Sequence, residues 1–98
     1  MAKKKYPPIP SHIRVTAKRD YEVTYIDNFK DPHQLGECRW EPPQIVIKAG
    51  QIEKEVFSTV LHEIIHAVSF EEDIGLTEKQ VLKLEKGLLR LLRLNKWI

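Results

Sequence analysis

The sequence predicts an α+β fold, a small and mostly antiparallel sheet of three to four strands with two helices packed on one face. Three observations carry this expectation. Short apolar/polar alternation fills residues 13–48 and is broken by turn residues. From about residue 51 the apolar period lengthens to that of a helix. The strands also precede the helices rather than alternating with them. With 98 residues, 42% hydrophobic and 31% charged, the chain suits one domain with a modest core and is not composed like a disordered segment.

Residues 1–12 read as a flexible N-terminal tail. It carries Lys3-Lys4-Lys5, and its Pro7, Pro8 and Pro10 suit neither a helix nor a regular ladder. Residues 13–98 form the single domain. Ile13, Val15 and Ala17 alternate with Arg14 and Thr16 in a first strand. Asp20 sits in a turn, and Tyr21–Ile26, rich in β-branched and aromatic residues, is the second strand. Residues 28–35 read as a loop and Gly36–Trp40 as a short third strand. Gln44–Lys48, built around Ile45-Val46-Ile47 and ended by Gly50, is the fourth. It suits equally an edge position, where it could pair with an extended peptide, and an interior one. Pro42-Pro43 beside it favours the edge.

The first helix spans about Gln51 to Phe70. The second starts near Thr77, where Thr77 and Gln80 spell a capping box and Leu76 with Val81 a hydrophobic staple, and it ends at about Leu94. Gly87 in its middle costs about 1 kcal/mol against alanine, which close packing on a neighbour would explain. Leu88, Leu89, Leu91, Leu92 and Leu94 exceed what one face needs and leave surface for a partner or a second copy. Trp40 and Trp97 read as packing residues. His12 and His33, in tail and loop, have no assigned role.

A net charge of +2 gives no strong field to recruit nucleic acid or membrane, and no basic stripe with interleaved aromatics is visible. No apolar run reaches the length of a membrane span, and no apolar segment follows the first lysines as in a signal peptide. Cys38 is the only cysteine, so neither an internal disulfide nor a paired-cysteine zinc site is available. A reducing, cytoplasmic location is expected.

The segment that carries chemistry is Leu61-His62-Glu63-Ile64-Ile65-His66-Ala67. Two histidines four residues apart on a helix stand one turn apart on one face, so both imidazoles can reach one metal ion. Zinc accepts such nitrogens, and a catalytic site keeps one position for water. Glu63 lies beside the metal as a general base rather than as a ligand. Around the helix, Phe57, Val60, Leu61, Ile64 and Val68 gather into an apolar seam. His62 and His66 share the opposite stripe with Glu55, Thr59 and Ser69. For the third ligand only carboxylates follow: Glu71, Glu72, Asp73, Glu78 and Glu85. The short reversal at 71–76 returns the second helix close to His66, which favours Glu78. Glu85 faces the same way and stays open as an alternative.

The run Ser58–Ala67, together with Leu76–Val81 and Gly87-Leu88, resembles the small zincin-like metallopeptidases of phages and prophages. It is similar to minimal ImmA/IrrE and SprT-like peptidases over roughly residues 13–95, more weakly at Gln44–Lys48 and near Gly36. The resemblance implies a minimal zincin-like fold, a zinc ion, and a third ligand from a Glu on the helix after the motif, a position that falls on Glu78. Val81 and Glu85 depart from the small residues usual there. The expected function is zinc-dependent hydrolysis of a peptide or protein substrate. The alternative is a non-catalytic, metal-stabilised binding or regulatory module.

Overall fold

The computed structural model describes residues 6–98; Lys3, Lys4 and Lys5 of the expected tail lie outside the described residues. The elements are β1 (His12–Thr16), β2 (Arg19–Ile26), β3 (Gly36–Trp40), β4 (Pro43–Lys48), α1 (Glu53–Glu71) and α2 (Glu78–Leu94). The fold is α+β, as the sequence predicts. The sheet is mixed, in the order β1-β2-β4-β3. Two antiparallel hairpins, β1–β2 and β3–β4, meet through a parallel pairing that sets Val23 opposite Ile45 and Tyr25 opposite Ile47.

β4 is therefore an interior strand, one of the two positions its sequence allows, and the edges are β1 and β3. Ile45, Val46 and Ile47 are all buried. A strand apolar on both faces is one that is covered on both. Pro43 is tolerated because it opens the strand, where a missing N–H costs least.

α1 lies against β1, β3 and β4, whereas α2 packs on α1 and approaches no strand. The layers thus run sheet, α1, α2. Tyr21, Val23, Ile45 and Ile47 from the sheet close the core on Val60 and Ala67 of α1. The inward face of α1 is rotated from the expected apolar seam. Thr59, Glu63 and Ala67 are buried while Val68 is exposed. Small residues allow this: a Cβ added at Gly36 of β3 would lie 2.6 Å from Thr59 Cγ2 and 3.0 Å from Glu63 Oε2. The helix and strand backbones approach closely there because the glycine has no side chain.

The chain before β1 is not a free tail where it is described. Tyr6 packs on Phe57 with ring centroids 5.3 Å apart, and its N–H donates to Glu53 Oε1 at 3.1 Å. Ile9 packs on the core, and the Ser11 carbonyl accepts from Val23 N–H at 2.8 Å. Between the helices, Gly75 at φ +75° makes the left-handed step of the reversal. Buried Ser69 ties that loop down. Its carbonyl accepts from Ile74 N–H and its Oγ from Leu76 N–H, both at 2.8 Å. The capping box of α2 is present in both directions, Gln80 N–H to Thr77 Oγ1 and Thr77 N–H to Gln80 Oε1.

Candidate metal centre

The reversal held by Ser69 brings the first residue of α2 back over the last turns of α1. Glu78 Oε1 lies 2.6 Å from His62 Nε2 and Glu78 Oε2 lies 2.7 Å from His66 Nε2. One carboxylate spans both imidazoles, and ligand atoms of the three residues lie within 4.8 Å of one another. The two rings meet edge to face with centroids 4.9 Å apart.

Glu85 takes a different place from the one its candidacy as ligand implied. Its Oε1 lies 2.8 Å from His62 Nδ1, on the far side of the ring from Glu78, and its Oε2 accepts from Ser58 Oγ at 2.7 Å. Glu85 therefore holds the histidine rather than joining the cluster, the arrangement by which an outer carboxylate fixes the tautomer of a metal-binding imidazole. The loop carboxylates are elsewhere. Glu71 accepts from Tyr21 Oη at 2.5 Å and Arg19 Nε at 3.0 Å, while Glu72 and Asp73 are exposed.

The donor set fits a cation. A neutral imidazole carries one N–H, yet both nitrogens of His62 face carboxylate oxygens. In one tautomer Nδ1–H donates to Glu85 Oε1. Nε2 then presents a lone pair toward Glu78, a contact that only a second proton or a cation between the groups makes favourable. Burial pulls the His62 pKa down, but the hydrogen bond to Glu85 and the charges of Glu63, Glu78 and Glu85 outweigh it, and the net shift is upward. The site is thus built to hold positive charge. His62, His66 and Glu78 could hold a metal ion.

Glu63 is 6% exposed and lines the same cleft. Burial raises its carboxyl to about 7, with Glu78, Glu37 and Glu85 adding to the rise and His62 opposing it. No side chain hydrogen-bonds it among the described residues, so its oxygens are available to a molecule in the cleft. That cleft has a volume of about 620 Å³. One wall is α1 and α2, and the other is β3 with the loop before it, including Leu35, Gly36, Cys38 and Trp40. Trp40 does pack, stacking on Phe70 at 4.9 Å between centroids, but it also faces the cleft. His33, given no role from the sequence, lies on the rim. Burial pushes the Cys38 thiol up to about 12, with the Glu63 charge adding to it.

The sequence thus brings together four of its expected site residues, His62, Glu63, His66 and Glu78. It missed the Ser58–Glu85 support and the β3 wall. Ser58 lies one turn before His62 on α1, which is the one local signal that could have pointed to it. No family model, no curated protein and no solved structure matches this chain.

Proposed function

We propose that the protein is a zinc-dependent peptidase of the zincin type. The observation that carries the proposal is the joint placement of His62, His66 and Glu78 around one point with buried Glu63 in the same cleft. Two imidazoles and a carboxylate are a catalytic zinc set that leaves a fourth position open. A zinc ion bound there supplies Lewis-acid activation of water and of a carbonyl oxygen.

The rest is done by the chain. Glu85 holds His62 by Nδ1 and aims Nε2 at the cluster. Glu63 accepts the proton of the attacking water and passes it to the amide nitrogen that leaves. An extended peptide in the cleft lies between α1 and β3, an edge strand. No helix of the described residues is long and apolar enough to cross a membrane, and the single half-buried cysteine supports the reducing cytoplasm as the working compartment.

A second reading has its own support. Among the helices and strands of the described residues α2 packs on α1 alone, and a metal joining His62 and His66 to Glu78 would staple the two helices in a module that need not cleave anything. The deciding experiment is a peptide-library cleavage assay on zinc-loaded protein, with metal content measured in parallel. Cleavage by wild type that is lost in Glu63→Gln at full metal content supports the peptidase. Full zinc content with no cleavage of any library member supports the staple.

A further inference from the structure

α2 sorts its charges by face. Its two acids, Glu78 and Glu85, turn to the histidines of α1. Its five bases, Lys79, Lys83, Lys86, Arg90 and Arg93, are exposed, and none is in an ion pair among the described residues. At about 100° per residue these five fall within roughly a quarter of the helix circumference. Beside them runs a second exposed stripe: Leu84, Leu88, Leu91 and Leu94, at 44, 37, 47 and 75% exposure. Their spacing of four, three and three residues is that of a seam into which another helix packs.

Gly87 lies within this seam. A glycine inside a helix is costly relative to alanine, and Gly36 shows what repays such a cost, a neighbour that a Cβ would strike. At Gly87 a Cβ would meet nothing within 4 Å, so no contact among the described residues accounts for it. A side-chain-free position in an exposed leucine seam lets a second backbone come close, as small residues do at helix crossings.

We propose that the outer face of α2 is a docking site for an acidic amphipathic helix of another protein. The leucine spacing and Gly87 specify a helix. Lys83 and Arg90 each precede a seam leucine and flank the seam, where carboxylates of the incoming helix would pair with them. A second copy of this chain is the wrong occupant, because it would set the same unpaired cations against each other. A phosphate backbone or a lipid surface uses the cations but has no use for the glycine. The proposal stands independently of the metal reading.

The test uses the full chain and a synthetic four-heptad peptide with leucine at the core positions and glutamate at the flanking ones. A lysine-flanked peptide is the counterpart, and binding is followed by fluorescence anisotropy. The glutamate peptide should bind and the lysine peptide should not. The pair Leu84→Ser/Leu91→Ser, and separately Lys83→Glu/Arg90→Glu, should each weaken binding by about tenfold or more. Gly87→Ala is the sharpest variant. It should raise the melting temperature of the free protein, because alanine is the better helix former, and yet weaken peptide binding. Its effect on binding therefore cannot come from unfolding. Equal binding of both peptides, or undiminished binding by the leucine or Gly87→Ala variants, overturns the proposal. So does a dimer at micromolar concentration in analytical ultracentrifugation that Leu84→Ser/Leu91→Ser dissolves. Binding to phosphatidylserine vesicles without binding to the glutamate peptide would assign the face to membrane instead.

Discussion

Glu85 meets His62 on the ring nitrogen that Glu78 does not use, Nδ1 at 2.8 Å against Nε2 at 2.6 Å. The ring is held from one side and presented on the other. Removing the support should therefore loosen the metal without removing a ligand. Glu85→Gln is expected to lower zinc affinity by about 10–100-fold, whereas His62→Ala or His66→Ala should abolish it. A competition titration with a chromogenic chelator reads both. Unchanged affinity in Glu85→Gln would show that the Glu85 contact does not support the metal-binding ring.

Glu78→Ala should weaken zinc binding far more than Glu72→Ala or Asp73→Ala, since only Glu78 spans both imidazoles. Isothermal titration with zinc separates the three variants. Equal losses across them would dissolve the ligand assignment.

Glu63→Gln should keep zinc stoichiometry while slowing peptide hydrolysis by about 10²–10⁴-fold, the usual contribution of a general base. Its melting temperature should hold or rise, because a neutral amide is easier to bury than a carboxylate at 6% exposure. A large fall in melting temperature would mean that Glu63 is part of the scaffold.

Gly36→Ala should destabilise the fold by about 1–3 kcal/mol in urea, the cost of overpacking, because the new methyl meets Thr59 Cγ2 at 2.6 Å and Glu63 Oε2 at 3.0 Å. Adding Thr59→Ser removes the nearer of these atoms and should recover part of the loss. A double variant no better than the single would place the strain elsewhere.

Glu71 links β2 to the end of α1 through Tyr21 and Arg19, and these hydrogen bonds hold its carboxyl below the usual range, with the Tyr21 bond first and burial opposing. A carboxyl depressed in the folded state stabilises above its unfolded pKa, and that contribution fades as pH falls through the folded value. Wild type should thus melt above Glu71→Gln at neutral pH, and the gap should close at acid pH. A gap constant from pH 7 to pH 2 would show that the carboxylate charge contributes nothing.

What was legible in the sequence was local in it. His62, Glu63 and His66 lie within five residues, so helical periodicity alone sets their relation, and the capping box fixes where α2 begins and so where Glu78 stands. What was not legible depends on long-range pairing. The parallel register of β2 and β4 decides that β4 is interior and β3 is the wall of the cleft; within Gln44–Lys48 the continuous apolar run Ile45-Val46-Ile47 pointed inward while Pro42-Pro43 beside it pointed to an edge. The rotation of α1 follows from Gly36 meeting Thr59 across 23 positions of sequence. Glu85 projects inward in either role, and only its distance to Nδ1 makes it a support. The Tyr21–Glu71 bond spans 50 residues and leaves no trace in composition.

Cys38 gives the cleft wall a chemical clock. Burial pushes its thiol up to about 12, so the folded protein holds far less of the thiolate that alkylating reagents require than an open chain does. Parting of β3 from α1 would lift that burial and speed labelling. Because this thiol is the only one in the chain, the rate at which mass is added under a small excess of reagent follows the population of the opened cleft, reclosing being faster than labelling, and a peptide seated between β3 and α1 should slow it.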